Sequence, residues 1–355
     1  MYKILDKHKV LLFVFLLIFS FSTVVAANQL KVHYINVGQG DSILIESPNN
    51  QTMLVDGGPK ERGSNLRFYI NSNSINELDY VVSTHPHADH IGGLLTILED
   101  FKVGKVIDSG KVHTSKTYED YLTKIDQKGI PYEFGRTGDE LKLGDVSIKI
   151  LHPDNTDYDL NNTSVVMLMK YGKARFLFMG DVEEEAEDEI LENNKSVYAQ
   201  FLKVGHHGSG TSTSTEFLKN VKPQVAVIMC GEDNNYGHPD ETTIKKLRED
   251  GIDVYRTDKN GTIVIKTNGE SYSIDKQFES KITGGNYQEK SKDEDKPDSN
   301  NNKDKFVGSI ESDKYHNPGC RWAEKIKPEN EIWFDSVEEA KAEGYKPCGT
   351  CSPPS

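Results

Sequence analysis

Short apolar runs separated by polar turns recur between residues 30 and 267, and longer amphipathic stretches lie between many of them. Short apolar runs are typical of buried strands, and an apolar period near 3.6 is typical of helices packed by one face. The pattern predicts strands at 30–36, 41–47, 52–55, 79–83, 103–107, 146–151, 164–170, 175–180, 199–204, 225–230, 253–256 and 262–267. It predicts helices at 62–71, 90–101, 115–128, 182–193, 213–220 and 240–249. This order favours an α/β (α+β) fold, with sheet packed on sheet and helices outside.

Composition divides the 355 residues into four segments. Residues 1–27 carry three lysines before an apolar run and end in small residues, which predicts a signal peptide and a secreted protein, free or wall-associated. An uncleaved N-terminal anchor is the alternative. Residues 28–282 form the main domain, 283–305 have the polar composition of a disordered linker, and 306–355 form a second unit. We expect a monomer with no membrane span after cleavage.

The heptapeptide Thr84–His90 concentrates His85, His87, Asp89 and His90 between a predicted strand and a predicted helix. Imidazole and carboxylate groups at this density indicate a metal site. Residues i and i+2 of a strand point the same way, so His85 and His87 could bind one ion. Asp89 and His90, beyond the bend, could face another. The spacing therefore predicts two adjacent divalent metals.

This H-x-H-x-D-H motif resembles the signature of the metallo-β-lactamase superfamily, hydrolases with an αββα sandwich. The resemblance implies that Asp56 supports the ligand histidines, that Asp181 bridges both metals, and that the pair His206-His207 supplies the last ligand. We favour His207 as that ligand, because adjacent residues at a strand end diverge. His206 would then face the substrate.

One position departs from the superfamily pattern, because Asn161-Asn162-Thr-Ser stands where many members carry a histidine. Asn161 or Asn162 could supply a weaker oxygen ligand or bind substrate. We interpret His152 as a structural loop residue. The departure leaves zinc and manganese both open for the site.

Further motifs at 37–41, 161–164, 203–209 and 236–239 resemble the extracellular hydrolase domain of bacterial competence DNA-uptake channels, over residues 29–275. The resemblance implies a nuclease, and a related branch contains phosphorylcholine esterases of wall teichoic acids. We therefore expect a phosphodiesterase acting on DNA or on a phosphorylated wall polymer. The alternative is a weakly catalytic or non-catalytic protein that binds DNA or cell wall. A β-lactamase is less favoured.

Two cations held by Asp181 would activate a bridging water and neutralise a phosphodiester in the transition state. We expect Asp89 to serve as ligand and catalytic group. His206 or His238 could protonate the leaving group, although His238 could equally be structural.

The net charge is −14 and would be −16 without residues 1–27, which does not favour broad nucleic-acid binding. Local cations such as Lys203, Lys173 or Arg175 would have to hold an anionic substrate beside the metals. The acidic run 183–185 is interpreted as favourable charge at a helix N-terminus.

The C-terminal unit pairs His316-x3-Cys320 with Cys348-x2-Cys351. Two close pairs of soft ligands predict one structural zinc, which a small unit needs in order to fold. A disulfide with a free thiol is the alternative. The segment resembles the metal-binding domain of the Ada repair protein, in which the first of four cysteines accepts a methyl group. Because His316 occupies that position, we do not expect methyl transfer.

Overall fold

The computed structural model describes residues 29–277 except 233, and in the C-terminal unit 306–309, 312, 314–317, 320–326, 331–334, 337–342 and 345–351. The predicted signal peptide and the predicted linker at 283–305 lie outside these residues. No helix in the described ranges is both long and apolar enough to cross a membrane.

The main domain contains strands in the following chain order. They are β1 (Leu30–Tyr34), β2 (Ile43–Glu46), β3 (Thr52–Val55), β4 (Glu77–Ser83), β5 (Lys102–Asp108), β6 (Tyr132–Phe134), β7 (Glu140–Leu143), β8 (Val146–His152), β9 (Val166–Tyr171), β10 (Ala174–Phe178), β11 (Phe201–Lys203), β12 (Val225–Ile228), β13 (Asp253–Arg256), β14 (Thr262–Thr267) and β15 (Tyr272–Gln277). The helices are Gly63–Ser72, Ala88–Ile91, Leu94–Asp100, Lys116–Lys128, Glu184–Asn193, Thr215–Val221, Glu241–Glu249 and Thr257–Asn260. Single 3-10 turns span Lys60–Arg62, Asn161–Thr163 and Gly205–Gly208.

The strands form two sheets, ordered β15-β14-β1-β2-β3-β4-β5-β6 and β13-β12-β11-β10-β9-β8-β7. Side chains such as Tyr34, Met167 and Phe176 fill the space between the sheets. The outer face of the first sheet packs on helices that include Leu94–Asp100, and the outer face of the second packs on helices that include Glu184–Asn193. The αββα sandwich is therefore confirmed.

Differences from the predicted elements are local. The prediction missed β6, β7 and β15, which are short or mostly exposed and so lack an apolar run. The predicted helix at 90–101 is two helices, interrupted at Gly92-Gly93. A Cβ atom on Gly93 would lie 2.0 Å from the carbonyl oxygen of Gly57, so the chain approaches too closely there for any side chain. His152 ends strand β8 and is not a loop residue.

The C-terminal unit has its own sheet, ordered β18-β16-β17-β19. Its strands are β16 (Phe306–Ser309), β17 (Lys314–His316), β18 (Glu331–Phe334) and β19 (Lys346–Pro347), with a helix at Val337–Ala342 and a 3-10 turn at Ala323–Lys325. Tyr315, Phe334 and Tyr345 form a small core.

Candidate metal centre

The candidate ligands follow strands that end at one edge of the sandwich. His85 to His90 follow β4 in the first sheet, Asp181 follows β10, and His206-His207 follow β11 in the second sheet. Strands β10, β11 and β12 are parallel, so their carboxyl ends lie side by side. The two sheets thereby bring loops distant in sequence to a common site.

Asp89, His90, His207 and Asp181 form one cluster. Oδ2 of Asp181 lies 3.2 Å from Nε2 of both His90 and His207, and Nε2 of His207 lies 3.4 Å from Oδ2 of Asp89. Ligand atoms about 2.1 Å from a tetrahedral metal are separated by about 3.4 Å. Nε2 of His207 is buried without a well-aligned hydrogen bond to any described residue. The geometry and the unsatisfied nitrogen both fit a cation.

His85 and His87 form a second cluster beside the first. Nε2 of His85 lies 2.9 Å from Nδ1 of His87 and 3.9 Å from Oδ2 of Asp181. The same oxygen of Asp181 therefore faces both clusters, as a bridging carboxylate would. Among the described residues, the group around His85 that is compact enough to hold an ion contains His90 and Asp181 but not His87. His87 joins that group only through its contact with His85.

Hydrogen bonds orient the rings of the first cluster. Asp56 accepts hydrogen bonds from the backbone and the hydroxyl of Thr84, and its Oδ2 lies 2.8 Å from Nδ1 of His90. Nδ1 of His207 donates to the carbonyl oxygen of Met229 at 2.9 Å. With each Nδ1 engaged, each Nε2 lone pair points to the place for an ion.

Close backbone packing places Asp56 against His90. Asp56 has a left-handed φ of 58°, and Gly57 follows it so near the helix start that a Cβ there would lie 2.6 Å from the backbone nitrogen of Leu94. Gly40 is similar, because its Cβ would lie 2.2 Å from the carbonyl oxygen of Asp89. Left-handed backbone at a non-glycine residue is strained and is often found at functional sites.

The departure at 161–164 has a clear local structure. Oδ1 of Asn162 accepts from the backbone of Glu183, so that oxygen is engaged, whereas Oδ1 of Asn161 is buried and has no hydrogen-bond partner in the described part of the chain. Oγ of Ser164 lies 3.3 Å from Nδ1 of His85. His152 donates from Nε2 to the carbonyl oxygen of Asn162 and holds this turn, in keeping with a structural role.

Comparisons with known proteins place the site in a family. The model of the metallo-beta-lactamase superfamily matches residues 35–232. The chain belongs to this superfamily. A model described as the metal binding domain of Ada matches residues 295–354. Both resemblances drawn from the motifs are thus confirmed.

Similar superfamily proteins include competence proteins. The chain is 33% identical over 252 residues to ComE operon protein 3 of Bacillus subtilis. The aligned region covers 66% of this chain and 32% of that protein. It is 29% identical over 246 residues to competence protein ComA of Neisseria gonorrhoeae, covering 67% of this chain and 32% of the relative. The chain thus spans about a third of the length of these curated relatives.

Solved structures with a similar arrangement are more distant. The metallo-beta-lactamase fold protein YhfI of Bacillus subtilis has a TM-score of 0.42 at 14% identity, covering 66% of this chain and 98% of that one. The metallo hydrolase Igni18 of Ignicoccus hospitalis has a TM-score of 0.43 at 18% identity, covering 66% and 98%.

The two histidines of the pair lie in different surroundings. His206 and His207 both have left-handed backbone, with φ of 45° and 53°. His207 is buried beside Asp181, whereas the ring of His206 is partly exposed, with Nδ1 3.0 Å from Oε1 of Glu183. His238 lies on the same side, its ring centroid 5.2 Å from that of His206. Glu183 therefore contacts the site as well as beginning a helix.

Asp41 was missed as part of the site, and Lys203 has a different role there from the one predicted. Lys203 forms a buried ion pair with Asp41, whose Oδ1 lies 3.4 Å from Nδ1 of His207. The expectation that Lys203, Lys173 or Arg175 holds substrate is wrong for Lys203, which has no exposed surface. Lys173 and Arg175 lie at the start of β10, away from Asp181, and contact Glu270 and Tyr198. Side chains alternate between the two faces of a strand, so Lys203 shares a face with the buried Phe201. That alternation could have predicted that Lys203 points into the protein.

The field inside the site favours bound cations. Burial alone would raise the pKa of Asp181, but His207 and His90 hold that pKa well below its ordinary value. Burial lowers the pKa of His85, with His90 reinforcing the effect, so its ring is neutral and one of its two nitrogens carries a lone pair for an ion. Lys203 is near two of the four carboxylates of the site, those of Asp41 and Asp181, while Asp56 and Asp89 lie beside the histidines. The excess of carboxylate groups favours divalent cations there.

The C-terminal unit contains a separate ligand group. The ligand atoms of His316, Cys320, Cys348 and Cys351 all lie within 4.8 Å of one another. Nδ1 of His316 is 3.5 Å from Sγ of Cys320 and 4.0 Å from Sγ of Cys351, and the described cysteines are free thiols. The four predicted ligands are therefore together and suit a tetrahedral soft metal.

Proposed function

We propose that this superfamily member is a metal-dependent phosphodiesterase that cleaves nucleic acid. The single observation that carries the proposal is that Oδ2 of Asp181 is shared by the two ligand clusters. Two cations held by one shared carboxylate would suit in-line displacement at phosphorus, since both the attacking and the leaving oxygen could be stabilised. The competence proteins among the relatives support a DNA substrate.

Bound ions would supply Lewis acidity and an activated water. Asp89, His90, His207 and Asp181 would hold one ion, and His85, His87 and Asp181 the other. Oδ1 of Asn161, which is buried without a hydrogen-bond partner among the described residues, is the oxygen that could complete the second set. The side-chain oxygen of Asn162 is not available as a ligand, because it accepts a hydrogen bond from the backbone nitrogen of Glu183. An oxygen-containing ligand set of this kind suits manganese as well as zinc.

The partly exposed histidines would act on the substrate. His206 is held by Glu183, and His238 lies against it, on the open side of the ligand clusters. Either ring could donate a proton to the leaving oxygen, and both could hydrogen-bond a phosphate oxygen. Residues 1–27 would direct the protein outside the cell, where it would act as a monomer.

The test is turnover of the purified protein with manganese or zinc on single-stranded DNA, duplex DNA and bis-p-nitrophenyl phosphate. His87→Ala should lose at least one metal equivalent and most activity. His113→Ala is the matched control, because the His113 ring lies 6.3 Å from that of His87 but bonds Ser115. Full activity in His87→Ala, or no turnover of any substrate, would overturn the assignment. DNA binding without turnover would instead favour the non-catalytic alternative.

A further inference from the structure

An exposed aromatic side chain stands beside the metal centre. Tyr236 is 71% exposed, and its ring is nearly parallel to that of His238, with an interplanar angle of 14° and a centroid separation of 6.0 Å. His238 in turn contacts His206 edge to face. The rings of Tyr236, His238 and His206 therefore contact one another in a row that begins at the solvent. His206 is the neighbour of His207 in the chain.

The loop that carries Tyr236 is held in place. Oδ1 of Asn234 accepts from the backbone nitrogens of Tyr236 and His238 at 3.2 and 3.0 Å, and its Nδ2 donates to the carbonyl oxygen of Gly231. Pro239 packs against the turn that contains His207, since a Cβ on Gly208 would lie 2.6 Å from that proline. The exposed ring is therefore preorganised, which reduces the entropy lost when a ligand packs on it.

We propose that Tyr236 stacks on a nucleobase next to the scissile phosphodiester, so that the substrate is single-stranded nucleic acid. This inference rests on the proposed phosphodiesterase function and narrows its substrate. Every base offers a π face to an aromatic ring, whereas a chain of glycerol phosphate units offers none. In a duplex the bases already stack on each other and are not available.

The acidic net charge of the protein favours such a contact. With a net charge of −14, the chain lacks the broad electrostatic attraction on which most nucleic-acid binders depend. The metals can hold the reacting phosphate, but neighbouring nucleotides need contacts that do not rely on positive charge. Stacking on Tyr236 supplies one at the open side of His206.

The experiment compares two hydrolysis-resistant phosphorothioate oligonucleotides of equal length, oligothymidylate and its abasic counterpart, by fluorescence anisotropy in manganese. Tyr236→Ala should raise the Kd for oligothymidylate about tenfold and so reduce the preference for the base-bearing strand, because one stacking contact is lost. Tyr236→Phe should retain that preference. Tyr198→Ala is the matched control, since Tyr198 is 39% exposed and precedes β11, at the end away from His206.

Turnover of the phosphodiester oligothymidylate, measured in parallel, separates the two proposals. One outcome is that the protein turns over substrate but Tyr236→Ala leaves the Kd unchanged, or changes it equally for both oligonucleotides. That outcome overturns the stacking proposal and retains the hydrolase proposal. Tyr236-dependent binding without turnover supports stacking and overturns the hydrolase. If neither Tyr236-dependent binding nor turnover is observed, both proposals are overturned. Preferential binding and cleavage of poly(glycerol phosphate) that does not depend on Tyr236 would overturn the nucleic-acid substrate.

Discussion

Nζ of Lys203 lies 3.7 Å from Oδ1 of Asp181, on the side of that carboxylate opposite the oxygen that faces the histidines. The ammonium group also pairs with Asp41 and donates to the carbonyl oxygen of Gly180 at 2.9 Å. Burial would lower the pKa of Lys203, but Asp41 and Asp181 raise it, so the group stays charged. Lys203 therefore supports the metal centre from within the protein.

Replacing this lysine should destabilise the fold. In Lys203→Met, Asp41 would remain buried without its partner, so the free energy of unfolding should fall by about 3–5 kcal/mol. Urea denaturation measures the change, and adding Asp41→Asn should recover part of it. Lys173→Met is the control, because its exposed pair with Glu270 is worth about 1 kcal/mol or less. Equal losses in the two single variants would contradict a buried, essential pair.

Asp56→Asn should weaken metal binding without unfolding the protein. The change removes the carboxylate that orients His90, and loss of such a partner typically lowers metal affinity by about 10–100-fold. Competition with a chromophoric chelator measures it. Asp79→Asn is a suitable control, since Asp79 lies on β4 and bonds the backbone of Thr52. Undiminished affinity in Asp56→Asn would show that His90 does not need this partner.

Gly93→Ala should also lower metal occupancy, although Gly93 is not a ligand. Its new methyl group would meet the carbonyl oxygen of Gly57 at 2.0 Å and displace the loop that carries Asp56. We expect a lower Tm and less bound metal by elemental analysis. Gly129→Ala tests backbone strain without a clash, because Gly129 has a φ of +62° and no atom near its missing Cβ. Metal content equal to that of Gly129→Ala would contradict the packing argument.

The C-terminal ligand group should bind zinc independently of the hydrolase site. Cys320→Ser should remove zinc from this unit, and His316→Cys should retain it because a four-cysteine set is also tetrahedral. Cys230→Ser is the control, since Cys230 is buried just after β12 and its thiol donates to Asp258. Full zinc content in Cys320→Ser would mean that the ligand set is wrong.

The loops that carry the candidate ligands could be located from the sequence because each loop follows an apolar strand, and such strands are recognisable from their run of apolar residues. Lys203 was predicted to hold substrate, and its pairing with Asp41 was not foreseen, because a buried ion pair depends on contacts between distant segments. Glu183 was interpreted only as helix-terminal charge, since its contact with His206 requires both sheets. The sequence likewise could not decide which of Asn161 and Asn162 has an unengaged side-chain oxygen. That depends on the hydrogen bond that Asn162 accepts from the backbone of Glu183.

The left-handed turn at His206 and His207 makes the length of this segment critical. Its two consecutive rings point to different environments, one to Asp181 and one to Glu183. An insertion or deletion of one residue would exchange the rings or point both away, even with every side chain retained. Metal binding should therefore survive substitution of His206 far better than any change of loop length, even where turnover is lost.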